Sequence, residues 1–380
     1  MNNMGLLKIA YKLLLNDSSK FRALLLGITF AVFLMVQMTS MFSGILDRSS
    51  ASVRNIGASI WVMDPAVNTV ANTIPMPDYL LDAVRSVEGV KFAVPLYSGG
   101  GLAKLKDGTF QSVSILGLDD NSLFGRPQME KGNIKDIFGE NAFIVVHDAE
   151  FQKLENPGIG TEFEINDHRA LVVGIAKVSS GGLFGVPTLY TTYNRAIQYL
   201  PTSRFTISYI LVEPKNMQDA NRIKQAIGRL GYLALTKEEF EERISDFYKY
   251  QTGVGTNIMI MTIVSFIVGL SISGQTFYSF ILENLEKFGA LKAIGAKSYE
   301  LVEMILFQAL FTALTGYGIG VGLCALLIRL ARLRLPDYAS IITFSNLALA
   351  FAMVLIIAGI SSYFGIRRVI KIEPFEIFRG

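Results

Sequence analysis

The sequence predicts an α-helical membrane protein. It has four transmembrane helices, with a large α+β extracytoplasmic domain, interrupted by a small β-rich subdomain, between the first and second spans. Three observations point there. Of 380 residues, 51% are hydrophobic and only 18% charged, with a mean hydropathy of +0.40, too apolar for an ordinary soluble chain of this length. Four stretches, 23–46, 256–282, 301–328 and 341–366, are apolar over the roughly 20 residues needed to cross about 30 Å of hydrocarbon. Between the first and second lie residues 47–255, of normal polarity and enough for one or two domains.

Charge sets the orientation. Lys8, Lys12, Lys20 and Arg22 precede the first span, Lys287, Lys292 and Lys297 lie between the second and third, and Arg367, Arg368, Lys371 and Arg379 follow the fourth. Four spans put these segments on one side, and positive charge marks it as cytoplasmic. Arg329, Arg332 and Arg334, near the short external loop 329–340, dissent but are outnumbered. Both termini are therefore expected in the cytoplasm and 47–255 outside it. The net charge of +3 is less informative than this distribution.

The N-terminal segment 1–22 places Leu6, Ile9, Leu13 and Leu14 at helical spacing, which fits an amphipathic helix on the inner membrane surface or simply the basic flank of a span. The first span is expected to be an uncleaved anchor. Its small-residue pair Ser49 and Ala51 lies beyond Asp47 and Arg48, late for signal cleavage. The one cysteine, Cys324, falls in the third span, so the external domain is expected to hold without a disulfide.

Past the first span the helical pattern continues through Phe42, Ile45, Ser49, Val53 and Ile56, and a matching stripe, Phe240, Ile244, Phe247, Tyr248 and Gln251, precedes the second, with one helix expected over 237–282. Either the two form a stalk or each packs on its own domain's core. In between, "SIWVMD" and "VKFAVPLY" read as strands flanking the helix "DYLLDAVRSV". "GLAKLKDGTFQSVSILGLD" reads as a hairpin turning at Asp107-Gly108. A β-rich unit around 121–192 follows, with a second turn at Asn166-Asp167, and then the strand, helix and strand "FTISYILVEP", "MQDANRIKQAIGRL" and "YLALT". Gly99-Gly100-Gly101 and Gly181-Gly182 read as loop formers, since neither opens a helix.

Catalysis has no visible home. There is no P-loop, no nucleophile elbow and no ligand spacing around His147 and His168, so no metal or cofactor is expected in this chain. "LSISGQ" at 270–275 looks like the ABC ATPase signature peptide, but it lies within an apolar span that no nucleotide reaches. The middles of the spans carry no Asp, Glu, Lys, Arg or His, and Glu303 sits only near the start of the third. Ion-driven transporters need such groups, so any energy must come from another subunit. The third span also carries Gly316, Gly318, Gly320 and Gly322, which in pairs four apart let helices approach closely, within one chain or between two.

The connector 283–300 carries the most specific signal. Glu283, Glu286, Lys287 and Lys292 lie among Leu285, Phe288, Leu291 and Ile294, and Gly295 stands where a helix C-cap wants glycine. "EKFGALKAIGAKSYEL" resembles the coupling segment of MacB/FtsX-like ABC transporter permeases, the mechanotransmission (type VII) class. The match falls on Glu286, Gly289, Leu291, Lys292, Ala293, Ile294, Gly295 and Ala296, with Lys287 and Phe288 inside it. The tail 367–380, "RRVIKIEPFEIFRG", resembles that family's closing pattern at Arg367, Arg368, Pro374 and Ile377. "SIWVMDPAVN" through "KFAVPLY" looks most like the DevC branch, whose permeases lack a fused ATPase. The arginines that usually precede the coupling glutamate are replaced here by "ENLEKFG".

The resemblance implies a non-catalytic permease subunit of the bacterial inner membrane. Two copies would pair as a homodimer through the first and second spans and bind two ABC ATPase subunits, which hold the ATP and Mg, through 286–296. It further implies a periplasmic adaptor and export; no nucleic acid is involved. Regulation of cell-wall hydrolases, as in FtsX-like proteins, and extraction of lipid-anchored proteins, as in Lol-type permeases, are the alternatives.

Overall fold

The computed structural model describes residues 3–148, 150–178, 185–200, 207–335 and 338–371. Helices α1 (Asn3–Asn16), α2 (Ser18–Ser49) and α3 (Ala51–Ile56) are followed by β1 (Ile60–Met63), α4 (Tyr79–Arg85), β2 (Val90–Lys104), β3 (Phe110–Leu118), β4 (Met129–Lys131) and β5 (Ala142–Val146). Next come β6 (Glu162–Ile165), β7 (His168–Ala176), β8 (Thr188–Thr192), α5 (Tyr193–Tyr199), β9 (Tyr209–Pro214), α6 (Ala220–Arg229), β10 (Leu233–Thr236) and α7 (Lys237–Asp246). The chain ends with α8 (Gly253–Glu283), α9 (Leu285–Ala293), α10 (Ser298–Arg334) and α11 (Phe344–Ile370). Its contacts divide it into a helical unit built from α1, most of α2 and α8–α11, and a sheet unit formed chiefly by Ile45–Gly253.

In the helical unit, among the described residues, α2, α8, α10 and α11 are the four helices long and apolar enough to cross a membrane. α2 and α10 extend past their apolar stretches at both ends, whereas α11 begins only at Phe344. α1 buries Leu6, Ala10, Leu13 and Leu14. Gln308 Nε2 of α10 donates to the Ala10 carbonyl at 2.8 Å, and the Tyr11 and Phe311 rings meet edge to face at 5.3 Å. Part of the apolar stripe of α1 therefore faces protein.

The sheet unit carries ten strands, ordered β10-β1-β9-β2-β3-β8-β5-β7-β4, with β6 pairing β2 and β7. All four residues of β1 are buried because both faces are covered. Ile60 and Val62 join Leu80 and Val84 of α4 and Ile223 and Ile227 of α6. Trp61 and Met63 point the other way, into a core with Val53 and Ile56 of α3 and Phe240 and Ile244 of α7. The β-rich segment continues this sheet, since β8 pairs in parallel with β3.

Two local expectations fail. Gly99-Gly100-Gly101 is no loop: β2 runs straight through it, paired with Ile115, Ser114 and Val113 of β3. Side chains there would collide with neighbours, since a Cβ on Gly99 would stand 2.9 Å from Leu200 Cδ1 and one on Gly101 3.3 Å from Ile165 Cγ2. Nor is 237–282 one helix. After α7, Phe247–Gln251 forms a π-helical turn, and Thr252 is extended at φ −109°, ψ 153° before α8 begins. The turns at Asp107-Gly108 and Asn166-Asp167 form as expected, with Gly108, Asn166 and Asp167 at positive φ. Gly181-Gly182, Pro374, Ile377 and Arg379 lie outside the described residues.

Candidate partner-docking site

The connector between α8 and α10 is built around Asn284, a residue whose importance the sequence pattern conceals. α8 stops at Glu283, and Asn284 is only 1% exposed. Its side-chain amide donates to the Phe280 carbonyl at 2.8 Å, while its Oδ1 accepts from Lys287 Nζ at 2.7 Å. The backbone N–H groups of Lys287 and Phe288 both donate to the Asn284 carbonyl at 3.1 Å. A polar residue ending a long apolar run was the one available signal.

From that hub α9 turns one face inward. Phe288 is fully buried, Gly289 and Ala296 are buried, and Leu291 is half-buried. Lys292 Nζ donates to the Ile370 carbonyl of α11 at 3.1 Å, and Lys20 pairs with Glu283 at the end of α8. These contacts hold the connector against the bundle. Gly295 ends the helix at φ 105°, with the Ala296 N–H reaching back to the Leu291 carbonyl at 3.0 Å, a glycine C-cap. Lys297 then immediately precedes α10, its N–H donating to Glu300 Oε2 at 2.8 Å.

What remains outward is compact. Glu286, Lys287, Ala293 and Gly295 are exposed, and Ile294 is 81% exposed, with Tyr299 at 61% nearby in sequence. A large aliphatic side chain held in solvent by a glycine cap, with both charge signs about two turns away, has the chemistry of a small protein-docking surface. The coupling stretch thus divides into supports (Phe288, Gly289, Leu291, Lys292, Ala296) and a presented face (Glu286, Lys287, Ala293, Ile294, Gly295).

The other singled-out residues divide too. A Cβ on Gly316 would stand 2.7 Å from Ile28 Cγ2, and one on Gly320 2.8 Å from the Thr29 carbonyl, so these two glycines seat α10 on α2. Gly318 and Gly322 have open space around them. Of the stalk residues, Phe240 and Ile244 are fully buried in their own domain's core, Ile45 is 8% exposed, and Phe42 and Phe247 are half-buried. The two stripes meet inside that core, where α3 packs on α7 and Arg54 Nη1 lies 3.5 Å from Glu241 Oε2.

Four membrane-length helices, with a mixed-sheet domain between the first and second and a glycine-capped helix after the second, define a multi-pass membrane protein. Comparison with known proteins makes this specific. Residues 23–230 match the MacB-like periplasmic core domain and residues 258–374 the FtsX-like permease C-terminal domain. The chain belongs to the MacB/FtsX-like family of ABC transporter permeases. It is 23% identical to an uncharacterized ABC transporter permease of Mycobacterium bovis, over 93% of both chains. It is 24% identical to the macrolide export ATP-binding/permease protein MacB of Psychrobacter cryohalolentis, over 68% of this chain and 39% of that protein. A putative hemin transport system permease of Staphylococcus haemolyticus is 23% identical over 44% of this chain and 45% of its own length. The periplasmic region of MacB from Actinobacillus actinomycetemcomitans aligns over 51% of this chain and 96% of that one, at 14% identity and a TM-score of 0.38. Membership in this family implies an ATPase partner.

Proposed function

We propose that this chain is the membrane subunit through which ATP hydrolysis in a separate ATPase reshapes the domain between its first two spans, driving export with a periplasmic adaptor. The observation that carries the reading is the presented face of α9: an exposed Ile294 at one end and exposed Glu286 and Lys287 about two turns away, on a helix fixed from beneath by Asn284 and Phe288. ATP and Mg reside on the partner, since this chain has no phosphate-binding loop. The basic segments support a cytoplasmic side for α9 and both termini, in a bacterial inner membrane.

Two copies and two ATPases form the working unit in this account. α2 is largely enclosed by its own chain, whereas α8 leaves Met259, Ile260, Ile263 and Ile267 exposed, so the first half of α8 supplies most of the pairing surface. Because α7 and α8 are separate helices, a displacement that enters at α9 and travels along α8 meets a turning point at Thr252. The break allows a swing where an unbroken helix would transmit only a rigid push.

The test is co-purification. The double variant Glu286→Lys with Ile294→Asp should insert normally yet lose its ATPase, and the purified chain alone should hydrolyse no ATP. Undiminished ATPase recovery with that variant would place docking elsewhere.

A further inference from the structure

A groove of about 720 Å³ opens between α8 and α11. Its walls are apolar at Tyr278, Ile360 and Phe364, and Gly274 keeps it clear of side-chain bulk on α8. One end changes character: Arg367, Arg368 and Lys371, all exposed, line it, and no carboxylate does among the described residues. Arg367 is held over the Tyr363 ring at 5.9 Å, and the Lys292 bond to Ile370 secures the end of the helix that carries this cluster.

We propose that this groove binds an anionic phospholipid, one acyl chain lying along Tyr278, Ile360 and Phe364 and the phosphate held by Arg367, Arg368 and Lys371. Two properties select that occupant. An apolar trough ending in cations matches a molecule with a hydrocarbon tail and a negative head, whereas a free anion would leave the trough unfilled. A second copy packed here about a two-fold axis would set the same three cations against their counterparts, with no acid lining the groove to offset the repulsion. The site lies beyond the half of α8 assigned to pairing, so it does not depend on that assignment. The lipid would set the position of α11 beside the docking helix, since Lys292 joins the two.

The experiment is native mass spectrometry of the full chain in mild detergent, offered phosphatidylglycerol or phosphatidylcholine with identical acyl chains. The unmodified protein should retain phosphatidylglycerol in preference. Arg367→Gln with Arg368→Gln and Lys371→Gln should cut that preference about tenfold or more, since all three cations that face the phosphate are removed. Gly274→Leu keeps every cation but fills the trough, and should reduce retention of phosphatidylglycerol without altering the melting temperature. Equal retention of both lipids by the unmodified protein would overturn the proposal, as would an undiminished preference in the triple variant. Full displacement by inorganic phosphate would overturn it in favour of a free-anion site. A dimer whose stability falls with Gly274→Leu while lipid retention does not would assign the groove to a second copy instead.

Discussion

The Phe240 ring of α7 packs 5.4 Å from the Trp61 ring of β1, centroid to centroid, with Tyr209 of β9 completing the cluster 5.3 Å from Trp61. This contact ties the helix that leads out of the sheet domain to β1, the strand next to the sheet edge. Both Trp61 and Phe240 are fully buried, so a displacement of α7 moves β1 or opens a cavity. Phe240→Ala should therefore destabilise the domain by about 3–5 kcal/mol. In thermal unfolding of the full chain in detergent, the sheet-domain transition should drop well below that of Phe247→Ala, since Phe247 is only half-buried. Equal shifts would show that the aromatic cluster does not anchor α7.

The start of α7 gives a pH dependence. Thr236 Oγ1 accepts the Glu239 N–H at 3.3 Å, and Glu239 Oε2 accepts the Thr236 N–H at 2.8 Å, a reciprocal cap. Lys224 bonds the same carboxylate, and this bond, followed by the Thr236 N–H, holds the Glu239 carboxyl below the usual range. Its stabilisation is present above the unfolded-state value of about 4.3 and is lost as pH falls through the depressed folded-state value. The side chain is 41% exposed, so screening keeps the effect under about 1 kcal/mol. Glu239→Gln should melt slightly lower than the unmodified protein at neutral pH, and the gap should close in acid. A gap that widens on acidification would contradict the assignment.

The glycines of α10 separate packing from surface. Gly316→Leu and Gly320→Leu force a side chain into Ile28, Thr29 and Val32, and each should cost about 1–3 kcal/mol or lower the folded yield. Gly318→Leu and Gly322→Leu meet open space and should leave monomer stability unchanged. Melting in detergent distinguishes the pairs, and an equal loss from all four would remove the α2 contact as the reason for these glycines.

Much of this was legible because it rests on local pattern. The four spans follow from length and apolarity, and Gly295 was readable as a cap because only its type of residue sits easily at φ 105°. The hairpin turns at Gly108 and Asn166-Asp167 were visible for the same reason. The strand through Gly99–Gly101 was not, since its glycines answer to Leu200 and Ile165, far away in sequence. Pairing of β3 with β8 is likewise nonlocal. In the connector after α8, the motif singled out a stretch but not which of its residues face outward. Leu291, attractive as a contact from sequence, is half-buried, whereas Ile294 is the exposed one. The break at Thr252 hides in a pattern whose apolar spacing continues on both sides.

The most direct measurement is site-specific photo-crosslinking from three positions in membranes that contain the chain and its ATPase. A photoreactive side chain at Ile294, another at Phe288 on the buried face of the same helix, and a third at Gly318 within the third span differ in what each can reach. The account predicts an ATPase adduct from position 294 and none from 288 or 318. An ATPase adduct from position 318, with none from position 294, would contradict docking through α9.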